Sequence, residues 1–235
     1  MFGIVQPTPF DMEFTLGRIP VRISVWFWLA GTLLGFTALR EGLQYLLAWL
    51  LVLLISILVH EMGHALTAQA FGYSPSVLLY HFGGLAYYQP DSRHTRLKSI
   101  LISLAGPGAG FLLFGLTYLF ARYVLPQFYW DMAEHSRRLL DDVVLQMLFI
   151  NLYWGLVNLL PVLPLDGGRI SQEVCSMISP RRGILYAAYI GVAVAALAAM
   201  WFLRNHQSYA VMLFAMLAFS NYSIIQQYKS GDRYW

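Results

Sequence analysis

The sequence predicts an all-α membrane protein: six transmembrane helices, with a short re-entrant β-hairpin and a broken fourth helix. Three observations lead there. Hydrophobic residues make up 58% of the 235-residue chain and charged residues only 11%, against about 25% charged in an ordinary soluble domain. Mean hydropathy is +0.57, and the apolar residues gather in runs long enough to cross a bilayer. At the end of one run stands His60-Glu61-Met62-Gly63-His64, a group of ionisable side chains that is costly at membrane depth unless it has a function.

The expected spans are Ile23–Leu39, Tyr45–Leu66, Leu97–Val124, Val143–Val162, Ile184–Leu203 and Tyr209–Ile225. The longest stretch between them, Thr67–Arg96, is too short for an ordinary folded domain, so residues 1–235 read as a single membrane domain. Residues 1–20 lack the basic start, apolar stretch and small-residue cleavage site of a removable signal peptide. The first span is therefore expected to direct insertion. The single Cys175 excludes an internal disulfide. A net charge of +3 fits loop arginines facing anionic lipid rather than nucleic-acid binding.

Ten of the fifteen Lys and Arg residues fall on one side of the predicted membrane. They occupy the N-terminal segment (Arg18, Arg22), the loop after the second span (Arg93, Arg96, Lys98), the loop after the fourth (Arg169, Arg181, Arg182) and the tail (Lys229, Arg233). The richer side is expected to be cytoplasmic. Both termini then face the cytoplasm of a multi-pass protein in a cell inner or plasma membrane. Tyr45 to His60 is a helical rise of about 22 Å. With Tyr45 at the outer boundary of a core about 30 Å thick, His60 lies near the inner surface but still within the core.

On a helix His60 and His64 stand one turn apart on one face, so both can reach one metal ion. Glu61 is rotated by about 100°, beside the metal rather than on it, where it can serve as general base. Two histidines leave zinc short of ligands, and a third, often a carboxylate, is expected. The best candidate is Asp166 in Asn158-Leu-Leu-Pro161-Val-Leu-Pro164-Leu-Asp166-Gly167-Gly168, which follows the fourth span. With alternating spans, the second and fourth end on the same side. Pro161 and Pro164 cannot continue a regular helix, and the break is expected to aim Asp166 inward.

These segments resemble the site-2 protease family of intramembrane zinc metalloproteases. The likeness rests on His-Glu-Met-Gly-His, on Asn158…Leu-Leu-Pro…Pro-Leu-Asp-Gly-Gly, on Ser103-Leu104-Ala105-Gly106-Pro107 and on Phe82-Gly83-Gly84. It covers about Ile23 to Ile170; the last two spans carry no matching motif. The resemblance implies cleavage of a substrate's transmembrane segment near the cytosolic side by a metal-activated water. It implies one Zn2+ per chain held by His60, His64 and Asp166, with Glu61 as catalytic base. Asn158 would help hold the scissile region. The chain departs from the family at Gly110, where Asn commonly follows Ala-Gly-Pro, and it shows neither the PDZ nor the cystathionine-synthase-type domain that some members carry.

Val77–Gln89 has β-favouring residues around Gly83-Gly84, a pattern for a hairpin whose free edge could pair with an unwound substrate. Gly83, Gly84 and Asn158 are therefore the expected substrate-binding residues. His81 reads as a loop residue, not a ligand. Gly106, Gly108 and Gly110 are expected to let the third span approach its neighbours. The expected partners are a membrane-protein substrate with a transmembrane helix and the bilayer itself. A serine protease built on Gly72-Tyr73-Ser74 lacks a placed base. A catalytically inactive zinc-binding membrane protein or chaperone of the same fold is the alternative, and intact Glu61 argues against it.

Overall fold

The computed structural model describes residues 6–81 and 83–230. Five helices among them are long and apolar enough to cross a membrane: Leu43–Ala70, Arg96–Gln127, Glu134–Asn158, Gly183–Arg204 and Ser208–Ser230. The protein is an integral membrane protein, mostly helical, with a small sheet. The described chain clusters into two compact units, residues 1–93 with 105–155, and residues 94–104 with 156–235.

The first unit opens with a hairpin, β1 (Met12–Leu16) and β2 (Ile19–Ile23), that hydropathy alone did not indicate. β2 alternates: Ile19, Val21 and Ile23 are buried while Pro20 and Arg22 point away, the period of a half-covered strand. β2 pairs in parallel with β3 (Ser76–Tyr80), which pairs antiparallel with β4 (Gly83–Tyr87). The strand order is β1-β2-β3-β4. The expected hairpin is thus present, but it belongs to a four-stranded sheet. Gly83 and Gly84 begin β4 instead of making the turn, and Phe82 lies outside the described residues.

Between β2 and β3 the chain makes the long crossover that parallel strands require. It runs through α1 (Val25–Leu34) and α2 (Leu43–Ala70). Ser24 joins strand to helix. Its N–H donates to Leu79 O at 2.9 Å, and its hydroxyl caps α1 by accepting from Trp26 N at 3.4 Å. Asp11 braces the same corner, accepting from Thr8 Oγ1 at 2.6 Å and Val25 N at 3.2 Å. The expected first span, Ile23–Leu39, is shorter as a helix: its start is strand and its end a 3-10 turn, Ala38–Arg40. The sheet packs Val21, Ile23, Val77, Leu79 and Ala86 together with Phe27 of α1 and Ile57 and Ala65 of α2.

Helix α3 (Arg96–Leu119) continues through a wider turn, Phe120–Val124, and α4 covers Glu134–Asn158. Asn151 of α4 donates to Ser56 of α2 at 2.9 Å, and Tyr45 meets His135 edge-on with ring centroids 6.1 Å apart. Early residues meet early and late meet late, so α2 and α4 run parallel.

The second unit contains α5 (Asp166–Ile178), which the sequence reading did not foresee, with α6 (Gly183–Arg204) and α7 (Ser208–Ser230). Small residues Ala187, Ala188, Gly191 and Ala195 form the buried stripe of α6. Phe214 and Leu217 of α7 pack with Ala195 and with Val162 of the loop that precedes α5.

Candidate active site

His60, Glu61 and His64 are all buried on α2, in a run that continues the membrane-length apolar stretch. The helical repeat does what the spacing predicts. The two imidazoles meet edge-on, ring centroids 4.9 Å apart, with Nε2 facing Nε2 at 3.2 Å. At that distance one ring can donate Nε2–H to the other in the right pair of tautomers, and a shared cation can instead take the lone pairs of both nitrogens.

Three glycines fit the surroundings to this pair. A Cβ at Gly106 of α3 would overlap the His64 ring at Cε1 and Nε2. A Cβ at Gly63 would fall 2.8 Å from Ala109 Cβ, so Gly63 lets α2 lie against α3. A Cβ at Gly84 of β4 would overlap the Glu61 carboxylate. The backbone at the start of β4 therefore lies directly on the candidate base. Beside it Gly83 has φ +118°, a conformation L side chains rarely adopt, and Trp154 of α4 covers it. Of the glycines expected to bring the third span close, Gly106 does so; Gly108 faces open space and Gly110 is in ordinary contact with Asn151.

Asn158 is the last residue of α4 and is buried. Asp166 is the first residue of α5, also buried, where a carboxylate complements the helix dipole. Its neighbours Gly167 and Gly168 lie against the backbone of Leu159, Leu160 and Val162, with no room for a Cβ. His81 is exposed beside Tyr80, and Ser74 is exposed in the loop after α2. The sequence reading missed the fit of Gly106 to His64 and the cover supplied by Trp154. The Ala-Gly-Pro motif carried a signal for the first; nothing local marked the second.

The sequence model of Peptidase family M50 matches residues 48–130 and 129–198, taking in the histidine helix and the Asp166 segment. The chain belongs to Peptidase family M50. Among the relatives it resembles, the Synechocystis protein sll0528 is 32% identical over 193 residues, which is 75% of this chain and 48% of that protein. The zinc metalloprotease MJ0392 of Methanocaldococcus jannaschii is 28% identical over 165 residues, 69% of this chain and 44% of the relative. This chain spans about half the length of these relatives. The solved Site-2 Protease from Methanocaldococcus jannaschii superposes with a TM-score of 0.62 at 21% identity, covering 92% of this chain and 95% of that one. It has the same fold, and the expected resemblance to site-2 proteases holds.

Proposed function

We propose that this M50 chain is an intramembrane zinc endopeptidase that cleaves transmembrane segments of membrane proteins, in the manner of regulated intramembrane proteolysis. The observation that carries the reading is the buried His60–Glu61–His64 face, with the edge of β4 laid on Glu61. The names of relatives such as zinc metalloprotease MJ0392 support the metal and the reaction.

In this reading His60, His64 and Asp166 would hold one zinc ion, two imidazoles and a carboxylate being a donor set that suits it. The facing Nε2 atoms, and the seat that Gly106 leaves for the His64 ring, fit such a group. When bound, zinc supplies Lewis acidity, polarising a carbonyl and making water nucleophilic near neutral pH. The chain supplies the rest. Glu61 takes a proton from the attacking water and returns it to the leaving amine. The free edge of β4, running from Gly83 to Tyr87, pairs with a substrate strand and holds it extended, because a helical substrate hides its peptide bonds. Asn158 adds a polar contact to the scissile region. The distribution of Lys and Arg supports a site on the cytoplasmic side with both termini facing in, and residues 1–235 act as one membrane-embedded catalytic domain.

Glu61→Gln tests the reading. It keeps shape and hydrogen bonding but removes the basic carboxylate. Zinc content is expected to stay unchanged while cleavage of a membrane substrate falls roughly 10²- to 10⁴-fold. Undiminished cleavage by the zinc-loaded variant overturns the mechanism. A wild-type protein that holds zinc and cleaves no membrane substrate would favour the inactive zinc-binding alternative.

A further inference from the structure

Asn221 is a wholly buried amide in α7, a helix long and apolar enough to cross the membrane. Its Nδ2 donates to Leu163 O at 2.6 Å and to Leu217 O at 2.9 Å, and its Oδ1 accepts from Leu163 N at 3.3 Å. One side chain thus serves both backbone groups of a single residue, much as a neighbouring strand would. Leu163 lies in the break between α4 and α5, three residues before Asp166.

The rest of that break is defined from within. Pro161 and Pro164 have no N–H to offer. Val162 N donates to Leu160 O, Leu165 N to Val162 O, and Arg169 N to Leu165 O, which starts α5. The Leu163 N–H and C=O face Asn221. On the other side Gly167 and Gly168 press the first turn of α5 onto Leu159, Leu160 and Val162. Irregular backbone at membrane depth must have its polar groups satisfied by protein, and the amide of α7 does this for Leu163. Helix α6 makes room: a Cβ at Gly191 would overlap the Asn221 amide. Asn151 offers a contrast. Its Nδ2 bonds to Ser56 and to Met147 O, joining helix to helix.

We infer that Asn221, seated against Gly191, is a positioning residue for Asp166: it fixes the Leu163 peptide and through it the placement of the metal-binding carboxylate. This rests on the proposed role of Asp166 as a zinc ligand. It gives α6 and α7, which carry no catalytic motif, a part in holding the metal.

The test uses the full chain in lipid nanodiscs, with zinc affinity measured by competition against a chelator on the folded fraction. Asn221→Leu keeps the branched shape of the side chain, with somewhat more bulk, and suits a membrane helix but loses all three bonds. Zinc binding is expected to weaken roughly 10- to 100-fold, the usual effect of removing a group that orients a metal ligand. The zinc-induced rise in melting temperature should shrink, and excess zinc should recover cleavage. Gly191→Ala keeps the amide but displaces it, and should weaken zinc binding in the same direction; it carries the test if Asn221→Leu does not fold. Tyr228→Phe removes another α7 hydrogen bond, to Arg181 O at 2.8 Å, and should leave zinc affinity unchanged. Wild-type zinc affinity in folded Asn221→Leu, or in Gly191→Ala where Asn221→Leu does not fold, overturns the inference, provided that Asp166→Ala loses zinc. Full zinc binding by Asp166→Ala would instead remove the ligand assignment on which it depends.

Discussion

Gly84 lies so close to Glu61 that any side chain at its position would occupy the space of the carboxylate. A strand edge and a buried acid on a membrane helix thereby form one surface. A chain paired along that edge would present its backbone to the acid, with no intervening side chain to hold the two apart. The contact also explains why a glycine stands at position 84, opposite Leu79 of β3.

Gly84→Ala is expected to push Glu61 aside while leaving His60 and His64 in place. Cleavage should fall on the order of 10²-fold, the scale that a displacement of about 1 Å imposes on a reacting group. Zinc content measured on the purified variant should match wild type. An active Gly84→Ala protein would show that β4 yields, and that the contact with Glu61 is not needed for the reaction.

Gly106→Ala and Gly108→Ala form a paired test two residues apart on α3. A methyl at Gly106 collides with the His64 ring, while one at Gly108 meets open space. The first should weaken zinc binding by roughly 10- to 100-fold. The second should leave it intact and add up to about 1 kcal/mol to helix stability. Equal zinc affinities in the two variants would remove His64 from the metal site.

Membrane orientation can be read by cysteine labelling in a Cys175→Ser background. Ser92 and Ser136 are both exposed, and the proposed topology has them on opposite faces of the membrane. A reagent confined to the outside should label Ser136→Cys and miss Ser92→Cys. The reverse pattern would invert the proposed topology.

Asp11 gives a pH dependence away from the membrane spans. The Thr8 hydroxyl donates to its carboxyl and holds its pKa below the ordinary 3.8; burial opposes this, and the Thr8 and Val25 amides and Arg22 add to the lowering. The folded pKa lies below the unfolded one. The stabilisation is therefore present above about pH 4 and lost as pH falls through the folded value. Melting curves of wild type and Asp11→Asn are expected to differ at about pH 6 and to converge as the pH falls through the lowered folded-state pKa. A gap that does not narrow would assign the role of Asp11 to packing alone.

The candidate active-site helix was legible because membrane insertion makes polar residues conspicuous: His60, Glu61 and His64 stand out against an apolar run, and the spacing of the two histidines maps onto one helical face. The break around Pro161 and Pro164 was legible for the same kind of reason, since proline cannot donate. The β1–β2 hairpin was hidden by its surroundings. Ile19, Val21 and Ile23 adjoin the apolar Val25–Leu34 stretch, so a hydropathy window merges strand and helix. α5 was obscured by its own polarity, and Asn221 by isolation, because its partner is a backbone group 58 residues away in sequence. Glu61 could be singled out as a candidate base from one dimension; the strand pressed against it could not be read there.

The ten residues of α1 span about 15 Å, half the thickness of a bilayer core of about 30 Å. The next helix, α2, runs nearly three times as far and keeps Leu43, Leu47 and Leu51 exposed. Lipid flanking the short helix must thin, or the polar turn around Arg40 and Glu41 must dip into it, and either adjustment costs fractions of a kcal/mol per ångström. Membranes of shorter acyl chains suit this flank better than thick, sterol-stiffened ones. A preference among host membranes thus follows from the length of α1, a helix that carries none of the candidate site residues.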